Sequence, residues 1–113
     1  MTGRICVVLS LALLLAPAAG VYSQESDSGR HYYDLGVFAY EGGDYEGAET
    51  HLKSALASDP ASALYHHYMG RIYLEMERHD EAIAHLDLAW AKDPDTFGLK
   101  RDLADANYRL QHY

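Results

Sequence analysis

Histidines are the residues of this 113-residue chain whose chemistry first suggests a site, since the chain has seven of them. Four of them, His51, His66, His67 and His79, would come near one another in a stack of helical hairpins. None of the four shows the i, i+4 pairing with a carboxylate that is typical of helical zinc sites. His66 and His67 are adjacent, so on a helix they point in different directions. The spacing therefore favours neither a metal site nor a cofactor.

Nucleophilic catalysis is equally poorly supported by the sequence. There is no glycine-rich phosphate loop and no nucleophile elbow, and the only cysteine is Cys6. Ser54, Ser58 and Ser62 have no evident histidine and aspartate companions that would activate a hydroxyl. The carboxylates are spread along the predicted helices, as is usual for solvated faces. We therefore predict that the chain is not an enzyme and that it has no catalytic residues.

The N-terminal segment has the layout of a secretory signal peptide. Arg4 precedes an apolar run at residues 5–16, and proline and small residues follow this run. The run is shorter than the ~20 apolar residues that a membrane-spanning helix needs. We predict that residues 1–23 are removed, with cleavage after Gly20 or Ser23, and that the protein is periplasmic or secreted. An uncleaved N-terminal membrane anchor is the alternative.

Charge narrows the range of partners. The chain carries a net charge of -8, and every acidic residue lies after the predicted leader. An acidic protein repels phosphate backbones, which argues against nucleic acid and anionic membranes as partners.

Residues 24–28 are polar and are predicted to be a flexible lead-in to the fold. Cys6 would leave with the leader, so we expect neither disulfides nor thiolate metal sites in the mature chain.

Two copies of one pattern, 34 residues apart, organise the rest of the chain. In the first copy the recurring residues are Leu35, Gly36, Ala39, Ala48, Leu52, Ala55 and Pro60. In the second copy they are Met69, Gly70, Tyr73, Ala82, Leu86, Ala89 and Pro94. Their spacing within each copy is helical, and a glycine-containing or polar turn divides each copy into two helices. A further helix starting near Phe97 would be half of a third copy.

The predicted turns and caps fit this division. Gly43 and Asp44 supply a left-handed residue and a helix cap in the first turn. Glu77 and Arg78 stand at the same places in the second turn, which we expect to be less favourable. Hydroxyl residues stand just before the first helix of each copy, where they are predicted to be N-caps: Ser28, Ser62 and Thr96.

This pattern resembles the tetratricopeptide repeat. The likeness covers residues 29–62 and 63–96 as full repeats, and residues 97–113 as a capping helix or truncated third repeat. The departures from the family pattern are His66 at an aromatic position and Glu77-Arg78 in the second turn. The resemblance implies an all-α fold of helix-turn-helix repeats stacked as a short right-handed α-solenoid. In it, Gly36 would contact Ala48 and Gly70 would contact Ala82.

The resemblance also implies a concave groove, lined by the first helix of each repeat, that receives a protein or peptide. Carried over position by position, the predicted groove residues are Tyr33, Val37, Tyr40, His67, Tyr68, Arg71, Leu74, Arg101, Asp105 and Tyr108. Within this set we expect Tyr40, Arg71 and Tyr108 to form a diagonal that carries binding. Other tyrosines are expected to fill the core: Tyr32, Tyr45, Tyr65 and Tyr73. The carboxylate clamp of the chaperone-binding members of the family is absent, because its positions hold Tyr33, Val37 and Arg71.

The sequence thus predicts an exported, non-catalytic scaffold for protein–protein interaction, whose partner it does not identify. Tyrosine and arginine favour this function because both are enriched at binding hot spots. Two alternatives remain open: an envelope assembly or self-association module without a client peptide, and the N-terminal fragment of a longer repeat protein.

Overall fold

The computed structural model describes residues 28–112, which form five α-helices and no strand. Helix α1 covers residues 28–41. It is followed by α2 (Tyr45–Ser58), α3 (Ala63–Glu75), α4 (His79–Lys92) and α5 (Leu99–His112). The predicted all-α fold of paired helices is confirmed. The predicted signal peptide, the lead-in up to residue 27, and Tyr113 lie outside the described residues.

Glycines mark the points where the two helices of each repeat cross. A Cβ added to Gly36 would collide with the side chain of Leu52. One added to Gly70 would lie 2.5 Å from Cδ2 of Leu86 and 3.3 Å from the carbonyl oxygen of Ala82. Such distances leave no room for any side chain. The predicted close contacts within both hairpins are therefore confirmed.

The core runs continuously along the stack from α2 to α5. Its buried members are Ala48, Leu52, Met69, Ile72, Tyr73, Leu74, Ala82, Leu86, Ala89, Leu99 and Ala106. α3 packs against α2, α4 and α5, so it is the central element of this core. Tyr73 is buried, and Tyr45 and Tyr65 pack against the core as expected. Tyr32 was expected in the core as well, but this is wrong because its side chain is 39% exposed.

The two intra-repeat turns share one geometry despite their different sequences. The Asp44 N–H donates to the Ala39 carbonyl at 2.9 Å, and the Arg78 N–H donates to the Tyr73 carbonyl at the same distance. This bond closes a helix through a left-handed residue. That residue is Gly43 (φ 82°) in the first turn and Glu77 (φ 59°) in the second. Since a side chain disfavours this conformation, the expectation of a less favourable second turn is confirmed.

Capping explains where several helices begin. The Asp44 side chain accepts from the Gly47 N–H at 3.0 Å, and Ser62 Oγ accepts from the Tyr65 N–H at 3.3 Å. The other two predicted caps are wrong. Ser28 is already helical, so it does not precede α1. Thr96 donates its hydroxyl to the Asp93 carbonyl at 2.9 Å, and α5 begins only at Leu99.

Arg78 stands where a capping residue would begin α4, and its side chain makes no capping bond. It instead donates to Glu81 on α4 through Nε at 2.8 Å and to Glu49 on α2 through Nη1 at 2.7 Å. Its guanidinium lies 4.5 Å from the ring centroid of Tyr73 on α3. Arg78 therefore ties three helices of the two repeats together.

No helix within residues 28–112 is both long and apolar enough to cross a membrane.

Candidate partner-binding groove

Tyrosine rings from α1 and α3 form a continuous cluster between the two helices. Tyr33 stacks on Tyr65 with a centroid separation of 5.3 Å and meets Tyr68 edge-on at the same separation. Tyr40 meets Tyr68 edge-on at 6.3 Å. Offset and edge-on pairs of this kind are the arrangements that aromatic rings prefer. We call these four residues the tyrosine cluster; all are partly buried and keep part of their surface accessible.

Arg71 lies against this cluster. Its guanidinium carbon is 5.3 Å from the ring centroid of Tyr40 and 5.2 Å from that of Tyr68. Its Nε is 3.7 Å from Oδ2 of Asp102 on α5, so one arginine contacts residues of three helices. The side chain remains 30% exposed. A cation held between aromatic rings and a carboxylate is preorganised, which lowers the entropy lost when it binds a partner.

Burial raises the pKa of two phenols of the cluster, Tyr33 and Tyr40. It raises the pKa of Tyr33 well above its ordinary value, and the neighbouring Tyr68 adds to this effect. Burial also raises the pKa of Tyr40, with Arg71 opposing the shift and Glu75 supporting it. These hydroxyl groups are therefore neutral hydrogen-bond donors at physiological pH.

A small polar cleft of about 90 Å³ opens beside Arg71. Its lining residues are Tyr40, Arg71, Leu74, Glu75, Asp102 and Asp105. It has room for the end of one side chain, and a longer ligand would have to extend over the surface of α1 and α3. Four of the predicted groove residues meet here: Tyr40, Arg71, Leu74 and Asp105.

One predicted groove residue, His67, has a different role. Its side chain is buried at 3% exposure, so it offers almost no surface to a partner. The Nε2 of His67 donates to Oδ2 of Asp102 at 2.6 Å, and this bond joins α3 to α5. The assignment of His67 to the groove lining is corrected: it belongs to the packing between α3 and α5. Leu74 is 4% exposed, so only a small part of its surface lines the cleft.

The half repeat supplies less of the groove than expected. Tyr108 is 61% exposed, but its ring stacks on His112 at 4.1 Å and does not line the cleft. The Arg101 side chain is 77% exposed and is also absent from the cleft lining. Asp105 does reach the cleft, where Arg109 contacts it at 3.2 Å. The expected diagonal of Tyr40, Arg71 and Tyr108 is thus not one contiguous set of contacts.

Some residues of this surface were missed by sequence reasoning. Asp102 and Glu75 line the cleft, although neither was among the predicted groove residues. The period gives the signal that would have found Asp102, since it stands 34 residues after Tyr68, itself a predicted groove residue. Val37 on α1 is partly buried, and its place in the groove stays a prediction.

Histidines do not assemble a metal centre in the described part of the chain. Residues 28–112 contain no group of three or more histidine, cysteine, aspartate or glutamate side chains placed to hold an ion. His66 approaches His85, which was not one of the four histidines expected to converge. His67 faces Asp102 instead, so the two adjacent histidines do point in different directions.

Paired helices that cross at glycines, repeated after 34 residues, define an α-helical repeat protein. The family model described as tetratricopeptide repeat matches residues 39–100. The chain therefore belongs to the tetratricopeptide repeat family. Repeats of this family generally mediate protein–protein interaction, so a role as an interaction scaffold follows at that level.

A protein O-mannosyl-transferase of Caenorhabditis elegans is similar to this chain, with 30% identity over 81 residues. The match covers 72% of this chain but 12% of the relative. The chain thus spans about one eighth of the length of that protein.

Proposed function

We propose that this chain is an exported, non-catalytic scaffold that holds a protein or peptide on the surface formed by α1, α3 and α5. The observation that carries the proposal is the placement of Arg71 against Tyr40 and Tyr68 beside an open cleft. Clusters of partly buried tyrosine and arginine are typical of binding hot spots, because they offer a large contact area at little entropic cost.

The similarity to a mannosyltransferase bears on the proposal that this chain is not catalytic. The part shared with that relative is 12% of its length, and within this chain the family match to the repeats covers residues 39–100. We propose that the repeats, and not transferase chemistry, are what the two proteins share. Assay of the purified chain for mannosyl transfer tests this, and turnover above a heat-treated control would contradict it.

The proposal of export is based on the sequence of the N-terminal segment alone. Arg4, the apolar run at residues 5–16 and the small residues after it are the features of a cleaved leader. The proposed location is the periplasm or the extracellular space, with an uncleaved N-terminal anchor as the alternative.

The binding surface is tested by comparing alanine variants for partner capture. Proteins that co-purify with the tagged chain are identified by mass spectrometry, and the affinity of the best candidate is then measured. Tyr40→Ala and Arg71→Ala should each weaken binding by about 2 kcal/mol, roughly thirtyfold, as expected for hot-spot residues. Tyr108→Ala tests separately whether binding extends onto α5.

Controls keep this test specific. Phe38→Ala removes a large side chain that is 78% exposed on α1 and absent from the tyrosine cluster, so it should leave affinity unchanged. Circular dichroism melting of every variant shows whether the fold is kept. Full affinity in the folded Tyr40→Ala and Arg71→Ala variants would place the interface elsewhere on the molecule.

Self-association is a second candidate function, and exposed apolar side chains at the C-terminal end of the stack favour it. Trp90 is 39% exposed, Leu110 is 46% exposed and Phe97 is 95% exposed. Size-exclusion chromatography at two protein concentrations distinguishes this function from that of a monomeric scaffold. An earlier elution at the higher concentration, abolished by Trp90→Ala, would favour assembly.

A further inference from the structure

Two histidines face each other across the α3–α4 hairpin. Nδ1 of His66 lies 3.0 Å from Nδ1 of His85, and the rings are stacked with a centroid separation of 5.2 Å. The other nitrogen of His66, Nε2, lies 2.7 Å from the carbonyl oxygen of Pro60. A carbonyl only accepts, so Nε2 of His66 carries a hydrogen. In the neutral pair, Nδ1 of His66 is therefore the acceptor and Nδ1 of His85 the donor.

The surroundings of this histidine pair disfavour a positive charge on His85. Burial lowers the pKa of His85, and the charges of His66 and of Lys53 on α2 lower it further, while Glu81 on α4 opposes the shift. On α3, the ring of Tyr73 lies 5.4 Å from that of His85. Burial raises the pKa of Tyr73 to about 12, so this neighbour carries no charge.

Other charges near the pair do not offset this effect. Glu49 on α2 is paired with Lys53 at 3.4 Å and with Arg78 at 2.7 Å. The charges that act on His85 are those of His66 on α3, Glu81 on α4 and Lys53 on α2. Glu81 alone favours protonation, and Arg78 binds both of its oxygens.

We propose that the His66–His85 pair makes the packing of α3 against α4 sensitive to mildly acidic pH. The neutral pair shares one hydrogen between the two Nδ1 atoms. A first added proton keeps that hydrogen bond but places a charge between the helices, where desolvation disfavours it. With a second proton, both Nδ1 atoms carry a hydrogen, so the hydrogen bond is lost and the two positive rings repel each other.

The direction of this pH dependence follows from the linkage between proton binding and folding. A histidine whose pKa is lower in the folded state binds protons more readily in the unfolded chain. The stability of the hairpin is therefore complete above the ordinary histidine pKa of about 6.5 and is lost progressively as the pH falls below it. This response depends on the α3–α4 contact and not on the proposed function of the protein.

The test compares melting temperatures of the purified chain at about pH 7.5 and about pH 5.5, on either side of the ordinary histidine pKa. A chelator is present so that metal ions do not contribute. His66→Phe retains a ring where the first repeat has Tyr32, and His85→Phe removes the other member. The matched control is His51→Gln, because His51 occupies the position of His85 in α2 and has no histidine partner among the described residues.

The wild-type protein should melt at a lower temperature at the acidic pH, and this drop should shrink in both phenylalanine variants. His51→Gln should keep the wild-type drop. The proposal is overturned if the wild-type protein shows no drop, or if both phenylalanine variants retain all of it.

Nuclear magnetic resonance keeps the test decisive if a variant fails to fold. In the wild-type protein, the His85 imidazole signals should titrate below the ordinary histidine range. In His66→Phe the titration should move upward, because the charge of His66 is gone. Titration of His85 within the ordinary range in the wild-type protein would refute the proposal without any variant.

Discussion

Glu77 occupies the left-handed backbone conformation that Gly43 adopts at the same point of the first turn. For a residue with a Cβ this conformation costs roughly 1–2 kcal/mol, whereas glycine enters it freely. Packing of the two helices on either side maintains the turn in spite of this cost. Residue 77 is thus a place where the local sequence opposes the fold.

Glu77→Gly should therefore stabilise the protein. We expect an increase of about 0.5–1 kcal/mol in the free energy of unfolding, because relief of the left-handed strain exceeds the extra entropy of glycine in the unfolded chain. Urea denaturation followed by circular dichroism measures it. The reciprocal variant, Gly43→Ala, should lose about 1 kcal/mol; if both variants shift stability in the same direction, backbone strain is not the cause.

At the scale of elements, the crossing at Gly70 determines how closely α3 and α4 approach. Gly70→Ala would bring a Cβ within 2.5 Å of Leu86, so the helices must move apart. We expect a loss of about 1–3 kcal/mol in the free energy of unfolding, and more for Gly70→Leu. Gly42→Ala is the matched control, since its Cβ would meet its nearest neighbours at 3.5 and 3.6 Å. Equal melting points for both alanine variants would show that the crossing is not tight.

The His67–Asp102 bond fixes α5 to the rest of the stack. Asp102→Ala leaves the Nε2 hydrogen of a buried histidine without its acceptor, which should cost about 1–3 kcal/mol. Amide hydrogen exchange should become faster in α5 while α2 stays protected. Asp102→Asn keeps an acceptor and should lose less. Asp105→Ala, which breaks only a partly exposed pair with Arg109, should change stability by at most about 1 kcal/mol.

Periodicity predicted the elements well because each helix is specified by its own residues. Small residues at Gly36 and Gly70 identified the crossings, and Asp44 and Ser62 identified two helix starts. Contacts between side chains that are distant in the sequence were harder to predict. His67 was expected to line the groove, but it is bonded to Asp102, 35 residues away on α5, and the period does not predict which side chains will pair. Thr96 failed as a cap because residues 97 and 98 form a turn, so that α5 begins only at Leu99.

For the whole molecule, the main prediction concerns the mature N-terminus. The small residues after the apolar run predict that the exported protein begins between Ala19 and Gln24. Intact mass of the protein recovered from the medium or periplasm measures this directly. A species that retains Met1 and fractionates with membranes would instead support the N-terminal anchor.

Arg78 contacts Glu49, Glu81 and Tyr73, and so it links the second helix of one repeat to both helices of the next. Repeat proteins unfold stepwise when the coupling between neighbouring units is weak relative to the stability of each unit, and together when it is strong. The favourable first turn and the strained second turn make the two repeats unequal in intrinsic stability. Because the arginine contributes to the coupling between them, we expect the stronger repeat to stabilise the weaker one and the pair to melt as a single cooperative unit.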